Sequence, residues 1–287
     1  MRPKIGRPIV AAALGAACLG CALMTGTPAN ASTTPLLGVI TSTPQTFEAA
    51  TGLVPNINTC YLVWGNPISG HCRILSGSQL LVEIGEPGQG DVPSLAAIAA
   101  GDADSWLDSL ASSLAALPSQ AAVSFDAEAN QQYPAVVPSQ YIAAFDHVAA
   151  IMHSYSLLTF YQVAQDQWYT VPVSTLWPGA SYVDYTAIDG YYGQLAYGDD
   201  WTYQTVFGNT IDQLQALSSD PTEITEAGVP ADVPPEDGTQ ASLITQMLAG
   251  AAAQPGVAGI MYFDQDTWDI DANAQALANY AAGIAGW

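Results

Sequence analysis

Two glutamates in this chain stand where strand-like runs stop. One run reads Val123-Ser124-Phe125-Asp126-Ala127-Glu128-Ala129-Asn130, the other Thr222-Glu223-Ile224-Thr225-Glu226-Ala227-Gly228. A pair of carboxyl groups facing each other across a cleft can hydrolyse a glycosidic bond. One protonates the leaving oxygen while the other attacks the anomeric carbon, and retention of configuration needs them about 5–5.5 Å apart. Acids at the rims of barrels are common, so the pair is weak support alone and the elements that carry it have to be read.

Those elements alternate. Short apolar or β-branched runs are expected as strands at 36–41, 60–64, 80–84, 122–128, 158–164, 182–189, 221–226 and 259–264. Alanine-rich helical stretches lie between them, at 104–117, 139–154, 210–218, 239–253 and 271–284, while the segments after strands two and five are too short for strong helices. Eight such units predict an α/β fold, a closed (β/α)₈ TIM barrel, rather than an open dinucleotide-binding sheet, since no Gly-rich fingerprint follows the first strand. Chemistry in such a barrel sits at the strand ends, and units four and seven lie on opposite sides of its mouth.

Against that frame the motifs resemble those of glycoside hydrolase family 26, the β-mannanase-like family of clan A, from about Leu37 to Asp271. Ser124-Phe125-Asp126-Ala127-Glu128-Ala129-Asn130, with Tyr133-Pro134 beyond, is similar to the family's acid/base motif S/R-F-A-H-E-M-N-G and its nearby W-Y-P. Ile224-Thr225-Glu226-Ala227-Gly228 is similar to the nucleophile motif I-A-E-T-G. Gly38-Val39-Ile40-Thr41, Leu95–Asp102, Tyr141–Val148, Ile188-Asp189-Gly190-Tyr191 and Ile260–Asp264 with Trp268 resemble further family segments in the same order.

The resemblance implies a retaining enzyme acting on a β-linked polysaccharide, β-mannan by family default, with Glu128 as acid/base and Glu226 as nucleophile. It also implies that Tyr191 donates to the nucleophile and that Asn130 lines the site, with rim packing and loop capping as their alternatives. Asp189 is expected to hydrogen-bond structurally. Trp168 and Trp201, in polar loops, are the expected sugar platforms, and Tyr133 takes the place of a family tryptophan. Asp126 is two residues before Glu128 and, on a strand, would share its face. It would then raise the pKa of Glu128; bonding to neighbouring strands is the other reading. The family's histidine before the acid is Ala127 here and its tryptophan after strand three is Gly85. These departures keep a non-catalytic carbohydrate-binding or cell-envelope protein on the same barrel as the alternative.

Composition narrows the partners. Arg2, Lys4 and Arg7 precede an apolar run from Ile9 to Leu23, and Ala29-Asn30-Ala31 has small residues at the positions a signal peptidase reads. The expectation is a signal peptide over residues 1–31, cleaved near Ala31, followed by one domain over 32–287. Gly15 and Gly20 and the shortness of the run argue against a membrane anchor. Beyond residue 31 the chain keeps Arg73 as its one basic residue against 26 acids, a formal charge of −25. Binding to nucleic acid or an anionic membrane through a basic patch is excluded.

A secreted or wall-associated monomer acting on a polysaccharide is expected, without cofactor. The acidity suggests an acidic working environment; a compositional bias of the lineage is the other source. Cys60 and Cys72, 12 residues apart, fit one disulfide in an oxidising compartment, with two buried thiols as the alternative. Scattered His71, His147 and His153 give no zinc spacing, and no metal is expected.

Overall fold

The computed structural model describes residues 34–85, 92–131, 136–167, 170–194 and 200–287. The expected signal peptide, Tyr133 and Trp168 lie outside them. Eight parallel strands form one sheet: β1 (Leu36–Thr41), β2 (Ile57–Leu62), β3 (Gln79–Ile84), β4 (Ala121–Phe125), β5 (Leu158–Ala164), β6 (Tyr185–Tyr191), β7 (Thr222–Gly228) and β8 (Val257–Asp264). The order β1-β8-β7-β6-β5-β4-β3-β2 runs once round the ring, giving the expected (β/α)₈ barrel. The β1–β2 seam is closed by Asn56, whose amide donates to Leu37 O (3.0 Å) and whose Oδ1 takes the Leu37 amide (2.7 Å).

Among the described residues seven α-helices flank the strands: α1 (Pro44–Thr51), α2 (Leu95–Ala99), α3 (Asp104–Ala115), α4 (Pro138–Ser154), α5 (Asn209–Leu217), α6 (Gln240–Ala253) and α7 (Ala274–Ile284). No α-helix joins β2 to β3. The Cys60–Cys72 disulfide (Cα–Cα 5.3 Å) instead staples that connection. A loop of this length is worth about 3 kcal/mol on the chain-entropy account. Among the described residues no helix is long and apolar enough to cross a membrane.

Side chains alternate between two compartments, as the period of a strand requires. Leu36, Ile57, Leu81, Ala122, Phe160, Tyr185 and Met261 fill the lower barrel interior. Val82, Val123, Val163, Ile188, Ile224 and Ile260 face the helices. The floor beneath the strand ends is therefore solid, and polar groups collect above it.

Three boundaries differ from expectation for identifiable reasons. β2 starts at Ile57 because the Asn58 Nδ2 finds an acceptor inside the fold, Arg73 O (2.8 Å), while Val63 leaves the sheet and is 66% exposed. β6 starts at Tyr185 because Asp184 is held in the preceding loop by the Thr159 amide (2.8 Å) and His153 (2.9 Å). β4 stops at Phe125, three residues early, because Asp126 (φ 51°) and Glu128 (φ 58°) are left-handed.

Candidate active site

That early stop aims Glu128. The Asp126 amide bonds back to Ile84 O of β3 (3.1 Å), and the Glu128 amide bonds forward to Gln162 O of β5 (3.1 Å). The segment thus straddles the gap left by β4. Left-handed conformations cost a non-glycine residue roughly 1–2 kcal/mol each, and such strain collects where a side chain must be presented. Burial, then the neighbouring Glu226 carboxyl, push the Glu128 pKa up to about 7, against a hydrogen bond from Gln131.

Glu226 reaches the lumen through a bulge. Ile188 pairs with Ile224 and Asp189 with Glu226, so β7 spends an extra residue, Thr225, against β6. Strict alternation from Glu223 would have turned Glu226 toward the helices; the bulge turns it inward. There Tyr61 of β2 donates to its Oε1 and Tyr191 of β6 to its Oε2. Burial raises the Glu226 pKa, and the two tyrosine bonds pull it back. Both hydroxyls stay protonated, because burial and the Glu226 charge push their own pKa values upward. Of these two electrostatically interacting carboxyls, Glu226 has the hydrogen bonds that favour its anion and Glu128 the raised pKa that favours its proton.

Tyr191 is itself fixed. Gln165 Oε1 accepts the Tyr191 amide, and Gln165 Nε2 donates to the Tyr191 carbonyl (3.1 Å). The Trp268 ring packs on the tyrosine at 4.4 Å. Both rings need Gly228, where a Cβ would come within 2.7 Å of Trp268 and 2.8 Å of Tyr191.

Two further acids lie beside the pair. Glu83 is buried on β3, register-paired with Tyr61, and its pKa is raised well above normal by burial and by Glu226. Asp189 accepts from Gln162 Nε2 (2.7 Å) and Thr225 Oγ1 (2.7 Å), and is raised by burial and then by Glu226. In both, burial and the neighbouring acids favour the protonated form. A cavity of about 470 Å³, within the ~300–1,000 Å³ usual for small-molecule sites, opens between the ends of β2 and β3. Tyr61, Trp64, Glu83 and Ala127 are among the residues lining it.

Several expected site residues have other duties. Asn130 has the loop-capping contacts of its alternative reading: its Nδ2 donates to Ala164 O (3.0 Å) and its Oδ1 takes the Ala164 amide (2.8 Å), tying the Glu128 loop to β5. With β4 ended at Phe125, Asp126 lies close enough to the α4 residue Tyr141 to raise that hydroxyl's pKa, while burial and Glu226 are what push Glu128 up. Trp201 packs on the core, its ring edge 3.1 Å from where a Gly193 Cβ would be. Asp189 hydrogen-bonds between strands. Tyr61 and Glu83 were not singled out from the sequence. A glutamate inside Leu80-Leu81-Val82-Glu83-Ile84 is the signal that could have found one of them.

The chain's fold is that of mannanases of glycoside hydrolase family 26. It superposes on Bacillus subtilis mannanase BCman with a TM-score of 0.59 at 17% identity, over 85% of this chain and 84% of that one. A family 26 enzyme from Muricauda gives 0.58 at 16% identity over 88% and 90% of the two chains. The catalytic domain of a Bacillus sp. family 26 endo-β-1,4-mannanase gives 0.60 at 14% over 89% and 86%. No protein-family model matches the sequence, and no curated protein matches it.

Tyr61 and Tyr191 should be separable by substitution. Each →Phe change removes one hydrogen bond to a carboxylate, worth roughly 1.5–3 kcal/mol. Loss of kcat by about 10–100-fold is expected, with the acid limb of the pH–rate profile moved up as Glu226 becomes a stronger base. An unmoved acid limb in both variants would mean that neither hydroxyl tunes Glu226.

Proposed function

We propose that this chain is an exported retaining glycoside hydrolase, cleaved after Ala31, that attacks a β-linked polysaccharide, with β-mannan the first substrate to try. Glu226 is the nucleophile and Glu128 the acid/base. The observation that carries this reading is the asymmetric pair: a carboxylate with hydroxyl donors on both oxygens faces a carboxyl whose pKa is pushed up to about 7. In the first step Glu226 attacks the anomeric carbon while Glu128 passes its proton to the departing oxygen. In the second, Glu128 takes a proton from water as that water displaces Glu226. The fold shared with family 26 mannanases supports the same assignment.

Hydrolysis of β-mannan and manno-oligosaccharides followed by proton NMR tests it. The first-formed reducing sugar should have the β configuration of the bond cleaved. Release of the α anomer first, or no new reducing ends from any of a panel of β-linked glycans, would sink the proposal. In the second case, binding without turnover would favour a carbohydrate-binding role.

A further inference from the structure

A second acidic group stands away from the paired glutamates, where β8 passes into α7. Asp264, Asp269 and Asp271 each turn a carboxylate oxygen to within 4.8 Å of the others. Asp264 is 2% exposed. Its Oδ1 accepts the Ile270 amide (2.8 Å), while its Oδ2 is sealed from solvent and makes no hydrogen bond of ordinary geometry. Asp271 repeats the pattern. Its Oδ2 takes the Thr43 hydroxyl (2.9 Å) and its Oδ1 is sealed and unbonded. A sealed carboxylate oxygen with no hydrogen bond on each of Asp264 and Asp271, beside the exposed third acid Asp269, is costly unless a cation joins them.

Among the described residues the basic side chains are placed elsewhere. Arg73 pairs with Glu48 (3.9 Å). His147 is engaged by Asp104 (2.6 Å) and His153 by Asp184 (2.9 Å), while His71 sits at Ser69 O (3.4 Å). We infer that Asp264, Asp269 and Asp271 form a calcium site at the β8–α7 junction. The ligand set is oxygen only, which suits a hard cation. Calcium takes six to eight oxygens at roughly 2.3–2.6 Å in irregular geometry, so oxygens on opposite sides of one ion lie about 5 Å apart. Three carboxylate oxygens mutually within 4.8 Å fit that shell. The hydroxyls of Thr43 and Thr41, which meet Asp271 and Asp264, and water can complete it. The expectation that the chain holds no metal was drawn from nitrogen and sulfur ligands, and an all-aspartate site leaves that spacing untouched.

The ion would have a task. The loop it ties carries Trp268, which packs on Tyr191 and so backs the hydroxyl donated to Glu226. Calcium would brace this loop together with the Tyr262 Oη, which donates to the Trp268 carbonyl (2.9 Å). Its binding can be read without any assay of hydrolysis.

The full chain, stripped with a chelator and titrated with calcium, should bind one ion by calorimetry. At a hundredfold excess over Kd its melting temperature should rise by roughly 5–10 °C. Terbium at the same site should luminesce on indole excitation, because Trp268 is in the loop. Trp268→Phe should dim that emission and leave calcium binding intact. Asp271→Asn, at a half-buried position, and Asp264→Asn should each lose at least tenfold in calcium affinity. Should Asp264→Asn fail to fold, Asp271→Asn decides the matter. Equal melting temperatures in chelator and in calcium, or calcium binding unchanged in the Asp271 variant, would overturn the site. An equal response to magnesium would overturn the calcium assignment.

Discussion

Glu226→Ala should lose at least roughly 10⁴-fold in kcat, the scale seen when a catalytic nucleophile is removed, and sodium azide should restore turnover by a changed route. Removal of the carboxylate leaves a hole lined by the Tyr61 and Tyr191 hydroxyls, both still able to donate to an anion. Azide seated there would attack the anomeric carbon of a β-glycoside from the face Glu226 uses. The bond to the leaving oxygen breaks, and the product is the α-glycosyl azide. Glu128→Ala should behave differently. With an activated aryl glycoside the first step needs little proton donation, so the glycosyl-enzyme should form and then accumulate. Azide would resolve it from the other face to give the β-glycosyl azide. The two stereochemistries distinguish the roles where rates alone cannot. If both variants keep wild-type turnover, these carboxylates are not the machinery. If the anomers come out reversed, the assignments of Glu128 and Glu226 must be exchanged. In the wild type, activity should fall above about pH 7 as Glu128 gives up its proton, and Glu128→Gln should remove that limb.

What sequence could show here was the ladder, and what it could not show was the local breaks in it. β1 and β5 match the expected runs to the residue, since Leu36–Thr41 and Leu158–Ala164 are uninterrupted and bounded by turn-forming residues. The glutamates were legible because each follows such a run. Their aim was not. Periodicity places Asp126 on the same face as Glu128 only if β4 continues, and two left-handed residues end it instead. Periodicity also sends Glu226 away from Glu223 and Thr225 by one residue, and a bulge puts it back. Both departures exchange regular pairing for side-chain direction at the catalytic end, where a local rule is most often broken for function. Tyr61 was hidden for another reason. Its role depends on a partner 165 residues away, a contact that no local window contains. Gln162 and Gln165 were hidden in the same way, since they act on Asp189 and on the Tyr191 backbone, both on the next strand.

The same buried acids make a second large effect: this protein should melt at least ~5 °C higher at pH 5 than at pH 8. Glu83, Asp189 and Glu223 are all raised well above ordinary carboxyl values, chiefly by burial, and Glu128 to about 7. Each binds its proton more tightly folded than unfolded. Their contribution is therefore complete below the unfolded range near pH 4 and is lost as pH rises through the folded values. The slope is about 1.4 kcal/mol per pH unit for each proton released on unfolding. Asp184 acts in the opposite sense: despite its burial, the His153 hydrogen bond lowers its pKa, and that stabilisation fades below about pH 4. Repulsion across a chain of formal charge −25 would also favour acid, so direction alone does not identify the cause. Salt does. Surface repulsion is screened at 0.5 M NaCl, where the Debye length is only a few ångströms, whereas groups inside the barrel are not. Glu223 isolates the buried share. Both its oxygens lack a hydrogen-bond partner among the described residues, and it lies on the lower barrel wall, register-paired with Ala187 and Gly259. Glu223→Gln keeps the shape and removes the titration. It should flatten the stability–pH curve by about one proton and leave the pH dependence of any hydrolysis where it was. A curve that collapses to a flat line in salt, or one unchanged in Glu223→Gln, would assign the acid preference to the surface instead.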